Sequence, residues 1–316
     1  MQASEGTPRV VCVGALVIDL TFWAPRRPLP GETLLGTRFE EFLGGKGFNQ
    51  AVAAARQGAA TAMVGAVGPD GYGDRFVAAL DAEGIDARSI HRVPDGTGVG
   101  QPLVTEDGEV AILGIPRANA ALSAALVDEA AEVIAAADLL LLQCEVPLDA
   151  SARAAAIARD AGTTVVLNTA PARPEVASLL AQADIIICNE LEAQTLVGDA
   201  SAPAEELHRR TGRPVIVTLG AAGARAIAAG EVHEVAAHRV PTVDPTGAGD
   251  AFCGAFAASI ARGDALAVAL RRGNAAGALA VQVAGAEFSM PRTAAVDDLL
   301  ARAAGDARLT AGEGVG

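Results

Sequence analysis

The chain has 316 residues, 51% apolar, 20% charged and only 3% aromatic, with a formal net charge of −14. That length corresponds to two average domains or one large α/β unit, and it can bury a core without cross-links. A pI near 4.7 with so few stacking rings excludes a nucleic-acid footprint, and no stretch approaches the ~18–20 uncharged apolar residues of a spanning helix.

The first strand is expected over Val10–Leu16; the apolar run ends at Asp19, and the preceding Met1–Pro8 carries Glu5 and no basic stretch, so no secretory signal is expected. Asp19–Phe42 breaks the rhythm with Pro25, Pro28 and the turn Pro30-Gly31, and then alternates from Thr33 like a strand with one wet face. A helix over Gly47–Gln57 and a strand over Ala62–Ala66 follow. Thr97–Leu113 reads as a hairpin, Gly98–Thr105 and Glu109–Leu113 about a turn at Glu106-Asp107-Gly108. From residue 120 the pattern is regular. Helices at Ser123–Ala136, Leu148–Ala161, Glu175–Gln182 and Ala204–Thr211 alternate with continuous apolar strands at Leu139–Gln143, Thr164–Asn168, Ile185–Cys188 and Val215–Leu219. A strand-like Val235–Val240, a helix-compatible Ala251–Arg262 and a last helix Thr293–Ala303 complete the chain; 304–316 is Gly/Ala-rich and expected to fray. This pattern predicts one α/β domain over 1–316, a doubly wound, mainly parallel sheet flanked by helices. The segments at about 19–43 and 97–116 would form a small antiparallel β layer over the sheet's C-terminal edge, either a lid or a mere edge extension.

Three glycine-rich turns stand at strand ends. Val243-Asp-Pro-Thr-Gly-Ala-Gly-Asp precedes a helix, so Gly247 and Gly249 can turn tightly and aim N–H groups at an anion that the helix end also attracts. Asp250 there is either an N-cap or a base that takes a hydroxyl proton as that oxygen attacks phosphorus; spacing alone leaves both open. Gly44-Gly-Lys-Gly-Phe-Asn-Gln lacks the Walker A and GxGxxG spacings, yet Lys46 and Asn49 would project polar groups beside the first strand. Thr218-Leu-Gly-Ala-Ala-Gly is the third turn. Together they suggest a phosphate-bearing ligand. Acids also collect at strand ends: Asp19, Glu145, and Glu192 with Asn189, the last two spaced to hold a hydrated Mg²⁺ through water. Cys12, Cys144, Cys188 and Cys253 lie in apolar segments without CxxC spacing, which predicts reduced, buried thiols and a cytoplasmic protein. The four histidines, His91, His208, His233 and His238, join no catalytic or metal pattern.

From about Val10 to Pro291 the chain resembles the ribokinase-like (PfkB) family of carbohydrate kinases. The resemblance rests on Gly44-Gly-Lys-Gly-Phe-Asn-Gln-Ala and Asp244-Pro-Thr-Gly-Ala-Gly-Asp-Ala-Phe, in the family's order and separation, supported by Ala118-Asn-Ala-Ala-Leu-Ser, Asn168-Thr-Ala-Pro and Asn189-Glu-Leu-Glu. It implies ATP-dependent phosphorylation of a hydroxymethyl group on ribose or a related pentose or hexose, or on a nucleoside. Carried over by position, Asp250 is the base, and Gly247, Ala248 and Gly249 form the anion hole. Asp19, Gly45, Lys46, Gly47, Asn49 and Glu145 hold the sugar. Asn189 and Glu192 position Mg²⁺ and phosphate, and Thr218, Gly220, Gly223, Gly249 and Asn274 line the nucleotide site. Asp244, Thr246, Ala280, Val283, Gly285 and Ser289 match a monovalent-cation loop, which implies K⁺ activation. Members of this kind dimerise through the lid strands. A non-catalytic sugar sensor on the same fold would have no use for Asp250, and a nicotinamide-dependent oxidoreductase would need the missing GxGxxG.

Three positions depart from the pattern. Val17 stands where the family's namesake members have an asparagine and cannot hydrogen-bond a hydroxyl. Phe48 replaces a small residue, a change that would narrow or re-shape the pocket. Arg117 replaces a glycine and either meets an acidic substrate group or faces solvent, the commoner place for an arginine.

Overall fold

The computed structural model describes residues 6–198 and 200–312. In chain order its strands are β1 (Arg9–Val13), β2 (Val17–Ala24), β3 (Arg38–Gly44), β4 (Ala60–Val67), β5 (Asp86–Arg92), β6 (Gly98–Thr105), β7 (Val110–Ile115), β8 (Leu139–Leu142), β9 (Thr164–Asn168), β10 (Ile185–Asn189), β11 (Val215–Thr218), β12 (Ala224–Ala228) and β13 (Glu231–Val235). The helices are α1 (Lys46–Arg56), α2 (Gly71–Ala82), α3 (Ala124–Glu129), α4 (Ala131–Ala135), α5 (Leu148–Ala161), α6 (Ala177–Leu180), α7 (Glu190–Val197), α8 (Pro203–Thr211), α9 (Ala248–Ala261), α10 (Leu266–Ala280), α11 (Ala286–Ser289) and α12 (Thr293–Gly312).

Strands β8, β1 and β4 are buried along nearly their whole length because helices cover both faces of the sheet, which is why they read as unbroken apolar runs. The main sheet runs β13-β12-β11-β10-β9-β8-β1-β4-β5, parallel except for β12 and β13. One core packs Phe48, Phe76, Phe252, Phe256 and Leu270 from α1, α2, α9 and α10 against one face. The other packs Val127, Ile134, Ala154, Leu179 and Leu207 from α3, α4, α5, α6 and α8 against the opposite face. The doubly wound α/β expectation holds. From β1 the chain proceeds outward to β4 and β5, then returns to β8 on the other side of β1 and proceeds outward again. The C-terminal ends of β1 and β8 therefore flank the switch point, where such sheets leave a crevice.

A second sheet, β3-β2-β6-β7, stands over that crevice. It is mixed, not purely antiparallel as expected: β2 pairs with β6 in parallel, and the two antiparallel partners flank them. Asp70 joins lid to body. It caps α2 through Gly73 N–H (2.9 Å), and it also accepts Thr97 N–H (2.8 Å) and the Thr97 hydroxyl (2.6 Å) at the entry to β6.

Other expectations are corrected. Of Val235–Val240 only Val235 is a strand residue; the true edge is the hairpin β12–β13. The expected helix Ser123–Ala136 breaks at Ala130, and Glu175–Gln182 shrinks to a 3₁₀ turn at Pro174–Val176 followed by α6. Helix α12 runs from Thr293 to Gly312, past the expected end at Ala303; residues 313–316 lie outside the described residues. All four cysteines are free and buried. Among the described residues no helix is long and apolar enough to cross a membrane.

Candidate active site

Helix α1 begins at the switch point. Gly45 takes φ +89° as its N-cap residue, and Gly47 lies against the backbone of Gly14 and Ala15 at the end of β1. A Cβ on Gly47 would stand 2.6 Å from Gly14 C and 2.7 Å from Ala15 N, so no other residue permits this approach. The crossing fixes Lys46, Asn49 and Gln50 over the crevice. Opposite them, α9 opens with Gly247 at φ +80° in the N-cap position. Its first-turn amides include those of Ala248, Gly249 and Asp250, and Ala248 N–H reaches only Pro245 O at 3.3 Å. A Cβ on Gly249 would meet nothing within 4 Å, so this turn faces open space. Gly247–Gly249 thus make a left-handed turn at a helix N-terminus, where unpaired N–H groups and the helix dipole favour an anion.

Asp250 is not the N-cap; it lies in the first turn of α9, and its carboxylate points into the molecule. It is 7% exposed. Asn49 Nδ2 donates to its Oδ2 at 2.9 Å and Gln50 Nε2 to its Oδ1 at 2.9 Å. The cap alternative is thereby removed.

The sugar-binding candidates gather here. Glu145, just past β8, accepts the Lys46 backbone N–H through Oε2 (2.8 Å), so one of its oxygens is committed to the start of α1. Burial raises the Glu145 carboxyl above its ordinary range despite nearby Lys46. The Lys46 ammonium is pushed up chiefly by Asp250, against the effect of its own burial, with Glu145 and Glu192 adding to the rise. Asp19, on β2, is wedged between two glycines of neighbouring strands. A Cβ on Gly44 would lie 2.5 Å from its Oδ2, and one on Gly100 would collide with Oδ1. Burial and then the charges of Glu145 and Asp250 push the Asp19 carboxyl up to about 7. Among the described residues it accepts no hydrogen bond, so it is a carboxylate without donors. Val17 shares its face of β2 two residues away, and its Cγ1 lies 3.4 Å from where a Gly100 Cβ would stand.

Phe48 does not narrow this pocket. It is 1% exposed and packs edge-on against Phe76 at 5.0 Å, on the core side of α1. Arg117 is partly exposed, and its guanidinium is engaged within the protein. It folds over Gly96 and donates to Thr97 O at 3.2 Å, with Asp95 at 3.7 Å.

Thr218, Gly220, Gly223, Ala248, Gly249 and Asn274 line one cleft of about 580 Å³. Ala237–Val240, Phe252 and Val281, which carried no sequence signal, also line it. Asn274 spends one amide hydrogen on Ala236 O (2.8 Å), which holds the segment after β13 against α10. Asn189 and Glu192 form a capping box: Glu192 N–H donates to Asn189 Oδ1 at 2.8 Å, and Asn189 N–H to Glu192 Oε2 at 3.0 Å. Asp244 ties two loops, accepting Thr246 N–H and Gly285 N–H at 2.9 Å each; Ser289 is buried and donates to Ala286 O at 3.0 Å. Among the described residues no three His, Cys, Asp or Glu side chains cluster as a metal cage.

Sequence reasoning assigned no role to the amides beneath Asp250. Gln50, Gln143 and Asn168 are all buried and are joined to Asp250 by hydrogen bonds. Gln50 adjoins Asn49 in a recognised motif, which was the one available signal.

Residues 7–293 match the profile of the pfkB family carbohydrate kinases. A ribokinase of Haemophilus influenzae is 37% identical over 287 residues, covering 88% of this chain and 94% of that protein. A deoxyribokinase of Salmonella typhimurium is 33% identical over 291 residues, covering 89% and 95%. The structure of Arabidopsis thaliana ribokinase complexed with ribose and ATP superposes with a TM-score of 0.86 at 31% identity, covering 94% of this chain and 99% of that one. By its fold, its paired glycine turns and these likenesses, the chain belongs to the pfkB family and is a ribokinase-like carbohydrate kinase.

Proposed function

We propose that this chain transfers the γ-phosphoryl group of ATP to a hydroxymethyl group of a small sugar, ribose or its 2-deoxy counterpart, with Asp250 as the general base. One observation carries the reading. A buried carboxylate, held by amides on both oxygens, stands in the first turn of a helix whose N-terminus opens toward a nucleotide-sized cleft. ATP would lie in the cleft bordered by Thr218, Gly223, Phe252 and Asn274, with its transferring phosphoryl at the amides of Gly247–Gly249. The sugar would sit between the lid and α1, its hydroxyls donating to Asp19 and Glu145 and meeting Lys46 and Asn49. Asp250 takes the proton from the attacking hydroxyl, and the anion-hole amides offset charge on the phosphoryl oxygens. Lid residues exclude water, which would otherwise compete as acceptor.

The capping box supports magnesium held through water: Glu192 keeps one oxygen outside the box, as suits a cation that stays largely hydrated. Mg²⁺ bound with ATP would neutralise phosphate charge. The carbonyls of Thr246, Ala280, Val283 and Gly285 with the Ser289 hydroxyl would supply oxygen donors to K⁺, and Asp244, which ties the two loops, would hold them in place. A second copy of the chain would pair through the lid, whose Phe39, Leu113 and Ile115 stand exposed on one face. Val17 beside Asp19 favours a sugar lacking one hydroxyl over ribose, because an apolar neighbour leaves a hydroxyl unpaired.

An ADP-release assay on ribose, 2-deoxyribose, fructose, several nucleosides and one sugar phosphate tests the substrate. Asp250→Asn tests the base: kcat is expected to fall by roughly 10³ with ATP binding kept. A variant within tenfold of the parent would refute the assignment.

A further inference from the structure

Beneath Asp250 lies a chain of neutral amides that neither the motifs nor the proposed sugar contacts use. Gln50 and Gln143 are both 0% exposed. Gln50 Nε2 donates to Asp250 Oδ1 at 2.9 Å and to Asn168 Oδ1 at 3.1 Å, which uses both of its hydrogens. Its Oε1 accepts from Gln143 Nε2 at 2.8 Å, and Asn168 Nδ2 donates onward to Ile187 O at 3.2 Å. The orientation of each amide is forced. A carboxylate only accepts, so the nitrogen of Gln50 must face Asp250, its oxygen must face Gln143, and Gln143 must present its nitrogen. Gln143 Oε1 is left buried without a partner, resting where a side chain on Gly14 would stand. Side chains from α1, β9 and the residue after β8 are thus linked in one chain that ends, through Gln50, on one oxygen of the α9 carboxylate.

The two donors to Asp250 are not equivalent. Asn49 Oδ1 is buried and has no protein partner, so nothing but its one bond to Asp250 holds the Asn49 amide, which can swing aside when a ligand offers it another acceptor. Gln50 has no such freedom. Turning it over would set its oxygen against Asp250 Oδ1 and Asn168 Oδ1 and its nitrogen against the nitrogen of Gln143. We propose that Gln50, locked by Gln143 and Asn168, is the positioning residue that sets the plane of the Asp250 carboxylate, leaving the Oδ2 side, served by the adaptable Asn49, to receive the substrate proton. The assignment rests on Asp250 acting as the base. Small misplacements of a reacting group cost large rate factors, whereas ground-state sugar and nucleotide contacts lie elsewhere.

Gln50→Met keeps length and volume and removes both donors. The expected result is a fall in kcat of about 10- to 100-fold, with the KM values for sugar and ATP little changed and the thermal midpoint showing a folded protein. Gln143→Met removes the lock one step back and should lower kcat less, in the same direction; the double variant should be no worse than Gln50→Met alone. A crystal structure of unliganded Gln50→Met supplies a readout without turnover, and the Asp250 carboxylate should be rotated from its present plane. The proposal is overturned if the carboxylate stays in place, or if the loss falls in KM while kcat is kept. If Gln50→Met does not fold, Gln143→Met decides by the same criteria. Absence of ADP release by the parent protein with every sugar would instead overturn the kinase reading, and the carboxylate's position would still report on Gln50.

Discussion

Asp19→Asn should make the unliganded protein more stable at alkaline pH and worse at holding its sugar. In the folded chain the Asp19 carboxyl titrates at about 7, against an ordinary 3.8, because it is buried and stands near Glu145 and Asp250. The folded state therefore holds this proton where the unfolded chain has lost it, and stability falls as pH rises from about 4 to about 7. At ~1.4 kcal/mol per pH unit, moving this titration from 3.8 to about 7 is worth about 4 kcal/mol as an upper figure. About 2 kcal/mol of that lies between pH 5.5 and pH 7. Asparagine fits the slot between Gly44 and Gly100 and carries no charge, so its advantage over aspartate should widen by about 2 kcal/mol from pH 5.5 to pH 8. For 316 residues at ~2.1 cal/mol/K each, that is a gain of roughly 3 °C in the difference between the two melting temperatures. Calorimetric melts of both proteins at the two pH values, without ligand, measure it, and sugar KM should rise about tenfold or more in the variant. A melting-temperature difference that is flat with pH, or that moves the other way, would refute the argument that Asp19 is a strained carboxylate waiting for hydroxyl donors.

Two further outcomes follow from the proposed assembly and cation loop. Leu113→Lys places a charge on the exposed lid face shared with Phe39 and Ile115 and should weaken a dimer about tenfold or more, read by sedimentation at several concentrations; an unchanged association would exclude that face. Turnover should be faster in potassium than in sodium at equal ionic strength, and Asp244→Asn, which weakens the tie to Gly285 and Thr246, should flatten that difference; equal rates in the parent would dismiss the cation loop.

The main sheet was legible because β8 to β11 are covered on both faces and so write continuous apolar runs into the sequence. Where a strand lies at an edge that signal vanishes. β5, Asp-Ala-Arg-Ser-Ile-His-Arg, and β13, Glu-Val-His-Glu-Val, carry charges suited to water, and both escaped notice. At the candidate site, glycines announced the turns and isolated acids stood out at strand ends, so Asp19, Lys46, Asn49, Glu145 and Asp250 could be singled out from the sequence, and the fold sets Asp19, Lys46, Glu145 and Asp250 close enough to shift one another's titration. Gln50 and Gln143 could not, since a neutral amide has no spacing rule and its importance lies in which way it faces. Phe48 shows the opposite error: a large residue in a motif was given to the pocket, although the helix turns it toward Phe76.

The contact between Gly14 and Gly47 has a wider reach than its lack of chemistry suggests. Because α1 rests on β1 backbone to backbone, with no side chain as a shim, that surface is the datum from which Lys46, Asn49 and Gln50 are all measured. A single methyl group at Gly47 would press on this backbone and lift the three together, shifting their register against Glu145 and Asp250 in one movement. A close tolerance therefore falls on a backbone contact that carries no reacting group, and drift there would be felt as a loss of function with every side chain intact.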